Sequence, residues 1–364
     1  SRLYGEITKD GEDFLEEYKL RKSDPLTGIG QMTGIGQIDE ALSGAKPHEL
    51  WTHAAFTGGL KSTLMFNWAY NQAVYYGSYS CIFSLEVPYH QCRRILFSIH
   101  SMHEKFRDIR TKLGIQQKPK KNQSVQNIGL PYKHIRDGSL EDWHPNSEKF
   151  MEEYVIPDFS GQKVVEWDRD PPGGYGEIHL EVADPDKDDF TMADIRQKSE
   201  VLYSKAPFEL LFIDHMGLLA PRKWSSSTTE RLNEVVRDAK RLAMNFQRGQ
   251  GVAVVGLFQI SREGFKAAEK NEGRYNLTHL SYANECERSS DIVTTTFVND
   301  DLRKKNRVQF QCLKSRDDAP FDLFSARVEW PCRRILTTYE VPLVSAQQEA
   351  VGGEIDNLDK ALDA

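Results

Sequence analysis

The sequence lacks the features that mark several broad classes of protein. It has no apolar run long enough to span a membrane and no charged-then-apolar start of the kind that directs secretion. Its five cysteines are scattered and none forms a C-x-x-C pair, which argues against a zinc site and a disulfide framework. It also lacks an excess of positive charge, since its net charge is −7. We therefore expect a reduced, intracellular protein without a membrane partner, in which any nucleic-acid binding would need a local basic surface.

The composition and the two ends of the chain suggest how it is organised. The 364 residues, 39% apolar and 28% charged, are typical of a soluble globular protein with two domains or one large decorated domain. The chain opens at Ser1 rather than Met, so we expect a processed or trimmed start and leave open a further N-terminal domain. Residues 1–25 predict a linker or docking segment, whose amphipathic stretch at 14–20 is either a short helix or part of a solvated leader. Residues 345–364 are acidic and predict a flexible tail.

Between these ends, apolar runs alternate with stretches of helical spacing. The strand-like runs lie at 49–54, 80–85, 208–213, 251–258, 292–298, 307–313, 321–329 and 334–339. The helical stretches lie at 64–70, 89–106, 192–204 and 228–248. This alternation predicts an α/β fold with a mostly parallel sheet covered by helices on both faces. The pattern dissolves at about 115–188, where we expect a large insertion, partly ordered around Trp143, Phe150, Tyr154 and Trp167.

One segment has the layout of a phosphate-binding loop. Residues 55–63, A-F-T-G-G-L-K-S-T, lie between a strand-like run and a helical stretch. In such a loop the backbone N–H groups and the helix N-terminus bind phosphate oxygens. Lys61 would reach the β- and γ-phosphates, and the Ser62 hydroxyl would ligate Mg²⁺. The residues predicted to bind the nucleotide are Ala55, Gly58, Gly59, Lys61, Ser62 and Thr63.

This loop departs from the motif at Leu60, where glycine normally precedes the lysine. A Cβ atom at that position stands where the backbone must approach the phosphates closely. Gly58 and Gly59 could re-route the loop; otherwise nucleotide binding would be weakened or lost. The alternative to a nucleotide site is a chance glycine turn followed by a surface lysine.

Three polar residues end strand-like runs elsewhere, namely Glu86, Asp214 and Gln259. Ligands of parallel sheets bind beyond the carboxyl ends of the strands, so we expect these side chains near Lys61. Asp214 would hold Mg²⁺ through water, and Glu86 would act as general base on the attacking water. Gln259 would sense the γ-phosphate. Taken singly, each has an ordinary alternative: a turn aspartate, an exposed strand-end glutamate and a polar residue at a strand edge.

A pair of cations follows a late strand-like run. Lys314 and Arg316 are two residues apart, so on a strand they face the same way. They could reach the phosphate site of a neighbouring subunit as an arginine finger and its companion. The alternative is a solvated basic patch.

In this order, the segments resemble the RecA-type ATPase domain of the DnaB family of hexameric replicative helicases. The resemblance covers roughly residues 26–114 and 190–340. Its seven segments are T-G-I-G-Q-I-D-E-A-L at 33–42, the loop at 55–63, S-L-E-V at 84–87, L-F-I-D-H-M-G-L-L at 211–219, L-F-Q-I-S-R at 257–262, E-C-E-R-S-S-D-I-V at 285–293 and K-S-R-D-D-A-P at 314–320. The departures are Leu60, His215, Gly217, the insertion and the absence from this sequence of the family's N-terminal scaffold domain. They indicate a divergent phage, plasmid or mobile-element relative.

The resemblance implies a RecA-like P-loop NTPase core over residues 26–344, interrupted by the insertion, with ATP and Mg²⁺ as cofactors. It implies a ring, expected to be a homo-hexamer, in which each nucleotide lies between subunits. One subunit would supply Lys61, Ser62, Glu86, Asp214 and Gln259. Its neighbour would supply Lys314 and Arg316. A primase or helicase loader is a further expected partner, and the expected location is the cytoplasm, a host-cell cytoplasm or an organelle nucleoid.

The resemblance also implies two loops that line a central channel, one after Leu219 and one after Arg262. Both combine basic and aromatic residues, which suits contact with the backbone of single-stranded DNA. The predicted DNA contacts are Arg222, Lys223, Lys266 and Arg274. The alternative is a pair of ordinary mobile surface loops.

The leading hypothesis is therefore an ATP-dependent, ring-forming DNA helicase or translocase. A catalytically weakened DnaB-like scaffold or regulator is the first alternative, and Leu60 and the insertion favour it. A RecA- or RadA-type recombinase and a KaiC-like switch share the same core fold and remain open as well.

Overall fold

The computed structural model describes residues 11–23, 29–117, 126–127, 129–183, 190–222, 227–280 and 283–336. The tail predicted at 345–364 and the predicted DNA contact Lys223 lie outside these residues. Within them, no helix is both long enough and apolar enough to cross a membrane.

Among the described residues, nine strands form one sheet whose centre is parallel. The strands of the chain are β1 (Leu50–Ala55), β2 (Ser80–Ser84), β3 (Gln116–Gln117), β4 (Gln126–Asn127), β5 (Ile178–Val182), β6 (Leu210–Asp214), β7 (Ala253–Gln259), β8 (Ile292–Phe297), β9 (Arg307–Ser315), β10 (Phe324–Glu329) and β11 (Arg334–Ile335). The order across the sheet is β11-β10-β9-β8-β1-β7-β6-β2-β5, and β3 and β4 form a separate pair. From β8 to β5 neighbouring strands are parallel, whereas β9, β10 and β11 continue the sheet in antiparallel fashion.

Helices connect most of these strands. They are α1 (Gly11–Ser23), α2 (Gly36–Leu42), α3 (Lys61–Tyr76), α4 (Tyr89–His100), α5 (Arg107–Lys112), α6 (Tyr132–Asp137), α7 (Leu140–Trp143), α8 (Ser147–Phe150), α9 (Ile156–Phe159), α10 (Met192–Lys205), α11 (Thr228–Asn245), α12 (Arg262–Lys270), α13 (Ala283–Ser289) and α14 (Asp300–Lys304). A π-helical turn at Met151–Val155 joins α8 to α9.

Side chains of the central strands alternate between two apolar clusters, one on each face of the sheet. In β6, Leu210 and Phe212 belong to one cluster, while Leu211 and Ile213 belong to the other. Helices α2, α3 and α4 contribute to the first cluster, and α10, α11 and α12 to the second. Because both faces are buried, β6 and β7 are apolar along nearly their whole length. The predicted α/β fold with a mostly parallel, doubly covered sheet is confirmed.

Helix α3 positions the candidate site. It begins at Lys61, directly after the glycine-bearing loop, and its residues from Thr63 to Tyr75 are buried. It ends at Gly77, which adopts the left-handed conformation that closes many helices. Since α3 starts where β1 ends, its N-terminus faces the carboxyl edge of the parallel strands.

The segment predicted as an insertion is partly built into the sheet. Helices α6 to α9 enclose a small apolar cluster that includes Leu140, Phe150 and Val155. Towards its end, β5 pairs in parallel with β2, so that Ser84 lies opposite Val182. The sequence analysis predicted no strand there, because I-H-L-E-V is short, partly polar and only half-buried.

Two predicted helices end earlier than their apolar spacing suggested. The helix predicted at 89–106 ends at His100, and His103 then caps a short 3₁₀ turn by accepting a hydrogen bond from the Lys105 backbone N–H. The helix predicted at 228–248 ends at Asn245. Gln247 and Arg248 have φ angles of 46° and 58°, which a right-handed helix cannot include.

Candidate functional site

The loop between β1 and α3 makes a tight turn. The Gly59 N–H donates to the Phe56 carbonyl oxygen at 2.7 Å. Gly58 has a φ angle of 75°, where a side chain would be strained. A Cβ atom on Gly59 would lie 2.7 Å from that same Phe56 oxygen, so only glycine fits there.

Leu60 takes the place of the missing glycine without leaving the turn. Its φ and ψ angles are 70° and 15°, in the left-handed region that glycine normally occupies. A non-glycine residue pays roughly 1–2 kcal/mol for that conformation. The Leu60 side chain, however, is only 7% exposed and joins the apolar cluster around α3. Burying a leucine contributes about 1.5–3 kcal/mol, so burial offsets the backbone strain.

Lys61 lies between two carboxylates contributed by neighbouring strands. Its Nζ atom is 2.8 Å from Asp214 Oδ1 and 3.3 Å from Glu86 Oε2. Asp214 ends β6 and Glu86 follows β2, and these two strands pair with Ser84 opposite Asp214. The parallel register therefore brings the predicted lysine, acid and general base to one point.

Asp214 is fully buried, and within the described residues its carboxylate oxygens make no hydrogen bond. Its ion pair with Lys61 satisfies Oδ1 only in part. A buried carboxylate that has an oxygen to spare beside its ion pair is suited to a cation or its bound water. Among the described residues, no group of three or more acidic, histidine or cysteine side chains is arranged to hold a metal ion by itself. The donor set, Asp214 with the Ser62 hydroxyl, therefore fits Mg²⁺ that takes its other ligands from phosphates and water.

His215 adds a second group near the predicted base. Its Nε2 atom is 3.8 Å from Glu86 Oε2, and the peptide bond between Asp214 and His215 is cis. Burial lowers the pKa of His215, and the nearby charge of Lys61 lowers it further. We therefore expect a neutral imidazole beside Glu86 at neutral pH.

Gln259 reaches the loop directly. Its Nε2 atom donates to Thr57 Oγ1 at 2.7 Å. Both residues line a cavity of about 380 Å³. Of the residues predicted from sequence, Ala55, Gly58, Lys61, Ser62, Thr63, Glu86 and Gln259 line it.

The sequence analysis missed three residues of this cavity, namely Arg303, Trp330 and Arg333. The Arg303 guanidinium donates to the Gly58 carbonyl oxygen at 3.2 Å and lies 4.3 Å above the centre of the Trp330 ring. These residues lie on α14 and in the turn after β10, and the antiparallel strands bring both elements close to the loop. The sequence has no recognisable motif at these positions, and only the pairing of β9 with β8 brings them close.

Lys314 and Arg316 lie at the opposite edge of the sheet from Lys61. Lys314 Nζ donates to the Glu287 carbonyl oxygen at 2.6 Å, and Arg316 pairs with Asp291 at 3.1 Å. Ser315 lies opposite Ile292, the first residue of β8, whereas the loop follows the last residue of β1. One six-residue strand, roughly 17–20 Å, therefore separates the two groups. Burial lowers the pKa of Lys314, and Arg316 beside it lowers it further.

The described residues predicted to contact DNA are exposed but occupy different elements. Arg222 follows β6 and pairs with Asp238 at 2.7 Å. Lys266 lies on α12, where the sequence analysis expected a loop. Ser261 caps this helix by accepting from the Gly264 N–H, and Gly264 and Ala268 are buried. Arg274 follows α12.

Comparison with known proteins gives a family match and structural matches. Residues 176–320 match the family model of the DnaB-like helicase C terminal domain. A solved ATPase domain is 18% identical, with a TM-score of 0.68, over 91% of this chain and 99% of that one. A DnaB-like replicative helicase, solved to examine its interactions with primase, is 20% identical, with a TM-score of 0.63, over 92% of this chain and 68% of that one. No curated protein sequence matches the chain.

These findings bear on different parts of the molecule. The family match includes Asp214, Gln259, Lys314 and Arg316 but begins after the loop at 55–63, so the role of that loop rests on its geometry. At identities below one quarter, the two solved structures show the fold. The resemblance drawn from the sequence is thus confirmed: residues 176–320 match a DnaB-like helicase C-terminal domain, and the chain has the fold of the two solved structures.

Proposed function

We propose that this chain is the motor domain of an ATP-dependent, ring-forming helicase that moves along single-stranded DNA during replication. The observation that carries the proposal is the position of Lys61 at the end of a glycine-bearing loop. Its Nζ atom lies within 3.3 Å of carboxylate oxygens of both Glu86 and Asp214. A lysine, a buried acid and an exposed acid at the carboxyl edge of a parallel sheet are the groups that phosphoryl transfer needs.

Each group has a distinct role in this proposal. The backbone of the loop and the N-terminus of α3 bind the phosphates, and Lys61 turns its ammonium group towards their negative charge. Glu86 is 53% exposed at its side chain, so it can accept a proton from a water molecule that attacks the γ-phosphate. Gln259 detects the γ-phosphate beside Thr57. Ser62 and Asp214 would hold Mg²⁺, which would neutralise charge on the transferred phosphoryl group.

Arg303 and Trp330 provide a surface for the rest of the nucleotide. Their stacked guanidinium and indole groups line the same cavity as Lys61. Such flat groups bind a planar base by stacking. We therefore place the base on the side of the loop formed by α14 and β10.

The position of Lys314 and Arg316 supports a site completed by a second subunit. A strand length separates them from the Lys61 of their own chain, so neither side chain can reach it. Both lie on the far edge of the sheet, where they could face the nucleotide of a neighbour. A head-to-tail arrangement gives a ring when the rotation between subunits closes and an open filament when it does not, and we propose a closed hexamer.

Helix α1 supports contact between subunits as well. Its Phe14 and Tyr18 side chains are 69% and 55% exposed, and its first turn carries Glu12 and Asp13. A cavity of about 580 Å³ between α10 and α11 is lined mainly by apolar side chains, and its arginines at positions 222 and 241 pair with Asp238. The exposed aromatic side chains of α1 are complementary to the apolar lining of that cavity, and we propose that α1 of one subunit packs there on the next.

The proposal assigns Arg222, Lys223, Lys266 and Arg274 to single-stranded DNA. The described members of this set follow β6 and β7, two adjacent strands on one side of β1. A primase or a helicase loader is the proposed partner of the surface formed by α6 to α9. Such a protein would work where DNA is copied, in a cytoplasm, a host-cell cytoplasm or an organelle nucleoid.

The decisive experiment measures ATP hydrolysis by the purified chain with and without single-stranded DNA, together with its mass with and without nucleotide. We expect DNA-stimulated hydrolysis that Lys61→Ala abolishes, and a ring-sized mass with nucleotide. Intact hydrolysis and unwinding by Lys61→Ala would overturn the proposal.

A mixing experiment tests whether the site is shared. Lys61→Ala and Arg316→Ala subunits should each be inactive alone, and a mixture should regain activity because some interfaces then combine an intact lysine with an intact arginine. A mixture as inactive as its components would contradict the shared site. Lys112→Ala, on an exposed face of α5, is the matched control for loss of a cation.

A further inference from the structure

Behind the phosphate-binding loop, buried polar side chains form a continuous chain of hydrogen bonds. His53 of β1 lies opposite Thr294 of β8. His53 Nδ1 is 2.9 Å from Thr294 Oγ1, and His53 Nε2 is 3.2 Å from Thr296 Oγ1. Thr296 Oγ1 in turn donates to the carbonyl oxygen of Gly59 at 2.6 Å. These hydrogen bonds therefore connect the interior of the sheet to the backbone of the loop.

The last hydrogen bond determines the direction of the others. A hydroxyl has one proton, and Thr296 donates that proton to Gly59, so Thr296 Oγ1 must accept from His53 Nε2–H. Burial, followed by the nearby charge of Lys61, lowers the pKa of His53 to about 3, so its imidazole is neutral near pH 7. A neutral imidazole with its proton on Nε2 has an unprotonated Nδ1, which accepts from the Thr294 hydroxyl.

The hydrogen bond to the Gly59 carbonyl group restrains the backbone of Leu60, the residue that departs from the motif. The Gly59 oxygen belongs to the peptide that joins Gly59 to Leu60. In a trans peptide the C=O and N–H bonds point in opposite directions, so anchoring the oxygen fixes where the Leu60 N–H points. It also restrains the left-handed conformation of Leu60, which a leucine does not adopt readily by itself.

We propose that His53 and Thr296 are positioning residues that hold the loop containing Leu60 in its phosphate-binding conformation, where the motif would normally rely on glycine. This inference rests on the proposed nucleotide site and adds a support beneath it. His53 and Thr296 act through the Gly59–Leu60 peptide and contact no phosphate themselves.

Neighbouring residues on β8 provide a matched pair of variants. Thr296→Val removes the hydroxyl that anchors Gly59. Thr295→Val makes the same chemical change one residue away, on the opposite face of the strand, where the buried Thr295 hydroxyl has no hydrogen-bond partner in the described structure. Thr296→Ser keeps the hydroxyl, and His53→Gln keeps a donor and an acceptor on one side chain.

The test measures the affinity of each variant for a non-hydrolysable ATP analogue and, by competition, for adenosine. We expect Thr296→Val to bind the analogue about three- to tenfold more weakly, the ratio that one hydrogen bond commonly gives, with adenosine unchanged. Thr295→Val, Thr296→Ser and His53→Gln should stay within about threefold of the parent. A general loss of structure would weaken adenosine binding equally, and thermal unfolding of each variant checks for it.

The possible failures are distinguishable. If Thr296→Val binds the analogue as tightly as the parent chain, or if Thr296→Ser binds as weakly as Thr296→Val, the positioning role is refuted while the nucleotide site stands. If the parent chain and Lys61→Ala bind the analogue equally, the nucleotide site itself is refuted.

Discussion

Phe56 of the phosphate-binding loop stacks on Phe265 of α12, with ring centroids 4.5 Å apart and an angle of 25° between the rings. Phe265 stacks in turn on Phe297 at the end of β8, with centroids 5.2 Å apart. The same helix carries Lys266, one of the residues that we assign to DNA. One aromatic contact therefore joins the nucleotide loop to an element that we expect to face the DNA strand.

Replacing Phe265 by leucine should weaken the coupling between DNA and ATP hydrolysis. An aromatic pair contributes about 0.5–1.5 kcal/mol, which corresponds to roughly a two- to twelvefold change in an equilibrium. We expect the stimulation of ATPase by single-stranded DNA to fall by a factor in that range, with DNA-free hydrolysis within about twofold of the parent. Phe265→Tyr keeps the ring and serves as control. Undiminished stimulation in Phe265→Leu would show that the contact carries no coupling.

Leu60→Gly should separate the two effects of the leucine. Glycine removes a backbone strain of about 1–2 kcal/mol, but deleting a buried leucine side chain costs about 2–5 kcal/mol. We expect a net loss of up to about 4 kcal/mol in the free energy of unfolding in urea, with nucleotide affinity retained. Leu64→Ala, one turn along the same buried face of α3, is the comparison for lost packing alone. Loss of nucleotide binding in Leu60→Gly without loss of stability would contradict this account.

His53 should make stability depend on pH. The pKa of its imidazole is near 6.5 in the unfolded chain and about 3 in the folded one. Between these values the unfolded state binds more protons, so the free energy of unfolding falls as the pH falls. From pH 7 to pH 5, this one group should remove about 2 kcal/mol.

Urea unfolding of the parent and of His53→Gln at both pH values isolates this contribution. Burial also lowers the pKa values of His100 and His103, but both residues are present in both proteins and cancel in the comparison. The glutamine variant should lose less stability on acidification. Equal losses in the two proteins would show that His53 is not held neutral.

A buried lysine that pairs with acidic residues of the insertion should be costly to remove. Lys105 is almost fully buried, and its Nζ atom lies 3.1 Å from both Asp158 and Asp170 and 2.6 Å from the Tyr175 hydroxyl. Lys105→Met would leave two carboxylates without their cation, which should lower the free energy of unfolding by about 3–5 kcal/mol. Chemical denaturation measures the loss, with the exposed Lys112→Met as control. A change below about 1 kcal/mol would mean that water replaces the lysine.

The sheet and its edge were predictable because their signals are local. Nearly continuous apolar runs at 208–213 and 251–258 indicate strands buried on both faces, and parallel strands bring their carboxyl ends together. From that rule, Glu86 and Asp214 were expected near Lys61, where the structure places them. How Leu60 fits the turn is visible only in its φ angle and its burial, which no local pattern contains.

The residues that the sequence analysis missed depend on contacts distant in the chain. Arg303 and Trp330 reach the cavity because β9 and β10 turn back beside β8, and no spacing rule predicts that return. In the sequence, His53 is one polar residue in an apolar strand. Its hydrogen bonds become visible only when the sheet places Thr294 and Thr296 beside it. The start of α12 was predicted as a loop, although Ser261 in front of it was a helix-capping signal.

Strand β5 has a consequence for how the insertion could influence chemistry. It hydrogen-bonds along β2 as far as the pair Ser84 and Val182, and the Ala183 N–H donates to the Ser84 carbonyl oxygen at 2.9 Å. Glu86, the proposed general base, comes two residues after Ser84. A protein that bound the surface of α6 to α9 and displaced β5 would therefore also displace β2, which holds the base. It would lower the rate of ATP hydrolysis without contacting the nucleotide.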